Sequence, residues 1–278
     1  MSVTTPFALA TPSGATLHGL IDLPERHPGE RPAVVVCHGF KGFMEWGFFP
    51  YLAELLADRG FVAVRFNLSG SGMRPGEDRV GDTDAFRADT HSLEVAELSA
   101  VLEATGVTIA SGRVDRARLG LLGHSRGGGN ALLAASRDER VRSLVTWAAV
   151  ATFDRYTPEQ KEAWRRDGEL PVVNARTGQQ LALGLSLLED VESHRDELDL
   201  LAAAARRRAP WLIVHGEEDE SVPAEEGRRL AERAAGEAEL LRIPGASHTF
   251  GARHPFAGPT PQLIQALNAT QRWFRRTL

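Results

Sequence analysis

A hydroxyl paired with a basic ring, and that ring with a carboxylate, is chemistry that cleaves acyl bonds by way of a covalent intermediate. In this chain a serine stands in Gly123-His124-Ser125-Arg126-Gly127, directly after the apolar run Leu119-Gly120-Leu121-Leu122 and directly before a helix-forming stretch. A Gly-x-Ser-x-Gly pentapeptide between strand and helix is the pattern of a nucleophile elbow, in which the serine sits on a strained turn. Glycines two residues to either side remove the side chains that would collide there. The helix behind the turn directs free N–H groups and a positive dipole end at the reacting centre. A bare five-residue match also arises by chance, and Ser125 could serve only as a helix cap. The strand before it and the helix after it make it the candidate nucleophile.

A second segment, His38-Gly39-Phe40-Lys41-Gly42, follows the apolar run 33–37. Here the chain resembles the α/β-hydrolase superfamily, whose members carry a His-Gly-x segment after the third strand that supplies one backbone N–H of an oxyanion hole. The resemblance implies Phe40 as that donor and Arg126 as the other, and leaves His38 to hold its loop by hydrogen bonds. A third segment, residues 215–223, follows the run 211–214 and is similar to the family's acid loop, with the carboxylate four residues after a histidine. That position is Asp219, with Val222 and Pro223 in the expected places behind it; Glu217, Glu218 and Glu220 are competing carboxylates. The fourth, residues 244–250, carries His248, a late loop histidine that completes the chain order Ser, Asp, His of this fold. His254 is the alternate base, and His91 and His194 are remote candidates. The four segments span residues 33 to about 250, so the resemblance covers most of the chain.

Each segment needs an element to position it. Phe7–Ala10 and Ala15–Leu23 flank the turn-forming Thr11-Pro12-Ser13-Gly14 and read as a hairpin. Short apolar runs then alternate with longer helical periods: strands at 33–37, 61–66, 119–122, 141–147, 211–214 and 239–243, helices at 50–59, 84–105, 126–136, 224–235 and 261–274. Strands rich in Val, Ile, Leu and Phe with little polar interruption are those buried on both faces of a parallel sheet. The fold class is therefore α/β, a doubly wound, mostly parallel central sheet in a single domain over 1–278. Residues 152–209 break the alternation. They are expected to form a short insertion between two core strands, with a small hairpin at 170–173 and 180–183, acting as a cap over the site.

The overall balance excludes several classes. A net charge of -5 and the lack of a basic face argue against a nucleic-acid partner. The run Arg206–Arg208 reads as the last turn of a helix, where cations suit the dipole. One cysteine, Cys37, permits no internal disulfide and sits in a buried strand. No signal peptide or membrane-length apolar stretch is present, so a cytoplasmic protein without a membrane partner is expected. Gly70-Ser71-Gly72 is followed by Pro75 and Gly76 where a dinucleotide-binding helix should start, and no His/Cys/carboxylate cluster has metal-ligand spacing. No cofactor and no metal are expected.

Aromatic residues gather near the expected site: Phe40, Phe43, Trp46, Phe48 and Phe49 behind the oxyanion strand, Trp147, Phe153, Tyr156 and Trp164 around the cap. Phe43, Trp46, Trp147, Phe153, Tyr156 and Trp164 are the candidate walls of a small-molecule pocket; part of such a set also packs core. The resemblance extends to small carboxylesterases, among them cinnamoyl and feruloyl esterases, and to the dienelactone-hydrolase group. It implies a serine hydrolase acting on a small-molecule ester with a small or aromatic acyl group. A peptidase or thioesterase of the same fold, and a hydrolase-like ligand-binding protein with vestigial turnover, are the alternatives.

Overall fold

The computed structural model describes residues 2–25 and 27–278. Strands β1 (Ser2–Ala10) and β2 (Thr16–Pro24) form the opening antiparallel hairpin. There follow β3 (Arg31–Cys37), α1 (Phe49–Asp58), β4 (Val62–Phe66), α2 (Thr83–Arg87), α3 (His91–Ala104), β5 (Val114–His124), α4 (Arg126–Arg137) and β6 (Val141–Trp147). The chain then runs through α5 (Pro158–Asp167), β7 (Glu169–Val173), β8 (Gln180–Gly184), α6 (Leu185–Ser193) and α7 (Leu200–Arg206). It returns through β9 (Trp211–Gly216), α8 (Ala224–Arg233), β10 (Ala238–Ile243) and α9 (Pro261–Thr277).

Among the described residues the main sheet has the order β1-β2-β4-β3-β5-β6-β9-β10. From β4 to β10 every neighbouring pair is parallel, and the hairpin adds antiparallel strands at one edge. Side chains alternate across it with period two. Val35 and Cys37 of β3, Leu121 of β5 and Ile213 of β9 join a core with α3, α4 and α7. Val34 and Val36, Leu122, Leu212 and Val214 join the opposite core with α1 and α9. This is the doubly wound α/β architecture, helices on both faces of a mostly parallel sheet. The chain winds outward in one direction from β3 and in the other from β5, so β3 and β5 flank a topological switch point where ligands bind beyond the strands' C-terminal ends.

One expected helix is divided, and two features go beyond what was expected. The helix expected over 84–105 is two helices: Thr90 takes extended angles and its hydroxyl accepts from the Leu93 N–H at 3.1 Å, capping α3. The break turns Asp89 inward, where it is buried. Within 152–209, α5 was not expected. Its burial of Trp164 alone gives little apolar periodicity, yet its ends are marked by Thr157 and Gln160 in a capping box, Pro158 in the first turn and left-handed Gly168 after the last. The arginine run 206–208 ends α7 as expected, with Arg206 in the last turn and Arg207 at the cap. Arg207 is buried, donating to the carbonyls of Ala135 and Val141 at 2.9 Å each, and so ties α4 to β6.

The segment 152–209 builds a small core of its own. Trp164, Leu181, Leu183, Leu187 and Leu188 pack with Val80 and with Phe86 of α2, and Phe40 packs against this cluster. The hairpin β7–β8 is a separate two-stranded sheet.

Candidate active site

Ser125 follows β5 at a backbone of φ 59°, ψ −125°, the strained left-handed turn its flanking glycines foretold. A Cβ on Gly123 would meet the Gly127 carbonyl oxygen at 2.1 Å, and one on Gly127 would meet the His38 carbonyl oxygen at 2.2 Å. The elbow is locked by the Ser125 N–H donating to the Trp147 carbonyl at 2.9 Å and by the Ser125 carbonyl accepting from the Gly128 N–H at 2.9 Å. Gly39 lies against the same turn: a Cβ there would sit 2.8 Å from the His124 carbonyl oxygen and 2.9 Å from Ser125 Cβ. The close approach of these backbones brings the two segments read as oxyanion donors together.

Asp219 follows β9 and His248 follows β10. His248 Nδ1–H donates to Asp219 Oδ2 at 2.8 Å, which leaves Nε2 as the nitrogen able to take a proton. Asp219 Oδ1 accepts from the N–H groups of Ser221 and Val222, both at 2.9 Å. His215 Nε2, which donates to the Val222 carbonyl at 2.9 Å, lies 3.5 Å from Asp219 Oδ2. Burial alone would raise the Asp219 carboxyl; the His215 ring 3.5 Å away, the hydrogen bond from His248 and the nearby His248 charge outweigh it and hold the group well below the usual carboxylate range. Glu217, Glu218 and Glu220 are exposed and Asp219 is buried, so the acid in contact with His248 is Asp219.

Ser125 and His248 line one cleft of about 130 Å³, with Lys41, Trp46, Phe49 and Thr249 among its walls. Among the described residues no hydrogen bond joins Ser125 Oγ to His248; such bonds are commonly long without substrate. The backbone N–H groups of Phe40 and Arg126 likewise donate to no acceptor among the described residues. The side chains of these two residues stack, the Arg126 guanidinium 4.1 Å from the Phe40 ring centre.

Beneath the elbow lies a buried polar cluster that sequence reasoning missed. Arg126 Nη1 donates to Asp89 Oδ2 at 3.2 Å and to Glu94 Oε1 at 3.3 Å, and Asn130 Nδ2 donates to Glu94 Oε2 at 2.9 Å. Burial raises both carboxyls. At Glu94 the Arg126 charge, the His91 ring with its Nδ1 3.7 Å away, and the hydrogen bond from Asn130 overcome it and keep the group ionised, while Asp89, beside that carboxylate, is pushed up. Two more histidines position the site. His38 Nε2 accepts from the Leu68 N–H at 3.2 Å and its Nδ1 donates to the Gly39 carbonyl at 3.0 Å, holding the loop. His124 Nε2–H donates to the carbonyl of His248 at 3.0 Å.

The alternate histidines lie elsewhere. His254 Nδ1 accepts from the Gly47 N–H at 3.1 Å and its ring packs on Phe43 and Trp46. His91 is buried and stacked on Phe153 at 4.1 Å, and His194 contacts Asp190. Of the aromatic wall expected from the sequence, Trp46 alone lines the Ser125 cleft among the described residues. Trp147 and Trp164 are fully buried, bonded to Thr270 and to the Leu183 carbonyl. Phe43 is buried, Phe153 packs on His91, and Tyr156 packs edge-on to Trp164. These rings fill cores because an aromatic's side of a strand or loop is set by tertiary packing. Phe49 and Lys41 take wall positions in their place. Among the described residues no group of three or more His, Cys, Asp or Glu is placed to hold a metal ion, and no helix is long and apolar enough to cross a membrane.

Comparison with known proteins gives the chain its family and its structural neighbours. The model of the prolyl oligopeptidase family matches residues 46–278. The chain is 24% identical over 251 residues, 79% of its length and 84% of the relative's, to the uncharacterized 31.7 kDa protein of the traX-finO intergenic region of Escherichia coli. It is 26% identical over 284 residues to the uncharacterized peptidase YuxL of Bacillus subtilis, covering 100% of this chain and 40% of that one. Among solved structures, Est1E from Butyrivibrio proteoclasticus with bound ferulic acid superposes with a TM-score of 0.76 at 20% identity, covering 98% of each chain.

Proposed function

The chain belongs to the prolyl oligopeptidase family, and from that premise we propose that this serine hydrolase cleaves carboxylic esters of small acyl groups with Ser125 as nucleophile, His248 as general base and Asp219 as orienting acid. The observation that carries the reading is the 2.8 Å bond from His248 Nδ1 to a buried Asp219, with His248 and the strained Ser125 opening onto one cleft. In the first step His248 Nε2 takes the Ser125 hydroxyl proton as Oγ attacks the acyl carbon. The N–H groups of Phe40 and Arg126 receive the oxyanion, and losing one such donor typically costs about 2.7 to 4 kcal/mol of barrier. His248 returns the proton to the leaving alcohol, and water, with His248 again as base, releases the acid. Asp219 holds the imidazole tautomer throughout and stabilises its charged form.

The cleft of about 130 Å³ supports a small acyl group, since sites for drug-sized ligands run to roughly 300–1,000 Å³. The segment 152–209 is read as a cap, supported by the packing of Phe40 against its core. A peptidase reading is favoured by the family match, and the same constellation would serve it. The test is hydrolysis of p-nitrophenyl esters of graded acyl length by the wild type and Ser125→Ala. Turnover that peaks at the shortest chains and drops by at least about a thousandfold in the variant is expected. A wild type that cleaves peptide anilides but no ester turns the assignment to the peptidase.

A further inference from the structure

We propose that Lys41 makes the cleft around Ser125 a site for esters that themselves carry a carboxylate, its ammonium holding that group beside the scissile bond. The proposal rests on the ester reading and names the substrate class within it. Lys41 lines the same cleft as Ser125 and His248. Its Nζ donates to the Val173 carbonyl of β7 at 3.2 Å and stands 5.2 Å from the Phe40 ring centre. These contacts steady the side chain, yet they use one of the three donors of an ammonium and bring no formal negative charge.

Its neighbours make the missing charge conspicuous. Among the described residues Lys41 has no carboxylate partner. Arg126, the adjacent cation, is held by Asp89 and Glu94. The chain's other lysine, Lys161, pairs with Asp154 at 2.7 Å. Half-burial first, and the Arg126 charge second, hold the Lys41 ammonium below the usual lysine range, and no acid is among the groups acting on it. A bound carboxylate would meet free donors and an uncompensated positive field in a site partly screened from water. The backbone adds a second sign: Lys41 has φ 57°, a left-handed conformation unusual for a residue with a Cβ and often found at ligand-binding positions.

The test uses two matched pairs, 4-acetoxybenzoate with 4-acetoxybenzamide for a carboxylate on the alcohol side, and monomethyl with dimethyl glutarate for one on the acyl side. In at least one pair the wild type is expected to favour the anionic ester in kcat/KM by on the order of 10- to 100-fold, the range of a charge-assisted hydrogen bond. That ratio is expected to fall at least about tenfold in Lys41→Met and to survive largely in Lys41→Arg. The ratio is internal to each protein, so a general loss of activity divides out. Ratios at or below one in both pairs, or ratios untouched by Lys41→Met, overturn the proposal. Should no ester turn over, the ester reading fails separately. Calorimetric titration of the full chain carrying Ser125→Ala with benzoate and benzamide then reads the same selectivity: benzoate binding that disappears with Lys41→Met upholds the anion site, and equal binding of the two probes removes it.

Discussion

At Ser125 the backbone is held in a conformation that costs roughly 1–3 kcal/mol, and the side chain is the part of the turn left open to the cleft. The residues that make this workable are less visible than the serine. His124 occupies a variable position of the elbow pattern, yet its ring fixes the carbonyl of His248 at 3.0 Å. Burial first, and the neighbouring His248 charge second, push the His124 imidazole down from 6.5 to about 3. A depressed histidine contributes stability that is present above its unfolded value of 6.5 and is lost as pH falls toward about 3. The stability advantage of the wild type over His124→Gln should therefore shrink across that window, by at most about 1.4 kcal/mol per pH unit. Urea unfolding of both proteins between pH 7 and pH 4, in the range bounded by about 6.5 and 3, reads it; parallel curves would mean that His124 titrates as in the unfolded chain. At this scale the placement of Ser125, Asp219 and His248 in loops that follow apolar runs could be read, and their proposed roles rest on that placement and on the bond between His248 and Asp219. Lys41 and His124 could not be read, because both stood as filler inside motifs. Trp147 and Trp164 misled for the converse reason, since residue type does not say which face of the sheet a ring joins.

Between elements, the elbow depends on the contact of α3 with α4. Asp89 and Glu94 reach Arg126, the first residue of α4, at 3.2 and 3.3 Å, and Phe40 covers the guanidinium on another side. One buried cation thus links both segments that carry the proposed oxyanion donors. Glu94→Gln removes the ionised partner of that cation, and breaking a buried pair from one side costs about 3–5 kcal/mol. Urea denaturation is expected to show a loss of this size, with kcat/KM on a neutral ester falling at least about tenfold at temperatures where the variant remains folded. A variant as stable and as active as the wild type would remove the cluster from the account. The period of the apolar residues in α3 was legible, but the break before it was not. The polar residues Asp89 and Thr90 fit an exposed helix face as well as they fit a turn, and the pairing of Asp89 with Arg126 decides between them. Helix α5 was missed because its signal lay in its caps, with Trp164 as its buried residue.

Over the whole molecule, the sheet order brings Ser125, Asp219 and His248 together from the ends of β5, β9 and β10, with Gly39 and Phe40 delivered from the end of β3. Alternation of apolar runs with helical periods made this architecture readable, because strands buried on both faces have a composition few other elements share. Within 152–209 the hairpin was readable but its packing was not: the segment's elements bury small faces against α2 and Phe40, so what they pack on depends on partners distant in sequence. The core of this segment packs against Phe40, itself a wall of the cleft, and this contact is what supports reading the segment as a cap. The central claim is that Ser125 is activated by His248 and Asp219 as one unit. The most direct measurement is covalent labelling by an alkyl fluorophosphonate, followed by mass spectrometry of the peptide that contains residue 125. Stoichiometric modification of Ser125 in the wild type, slowed by at least about a thousandfold in His248→Ala, is the predicted result. Labelling at another residue, or at the same rate without His248, would contradict it.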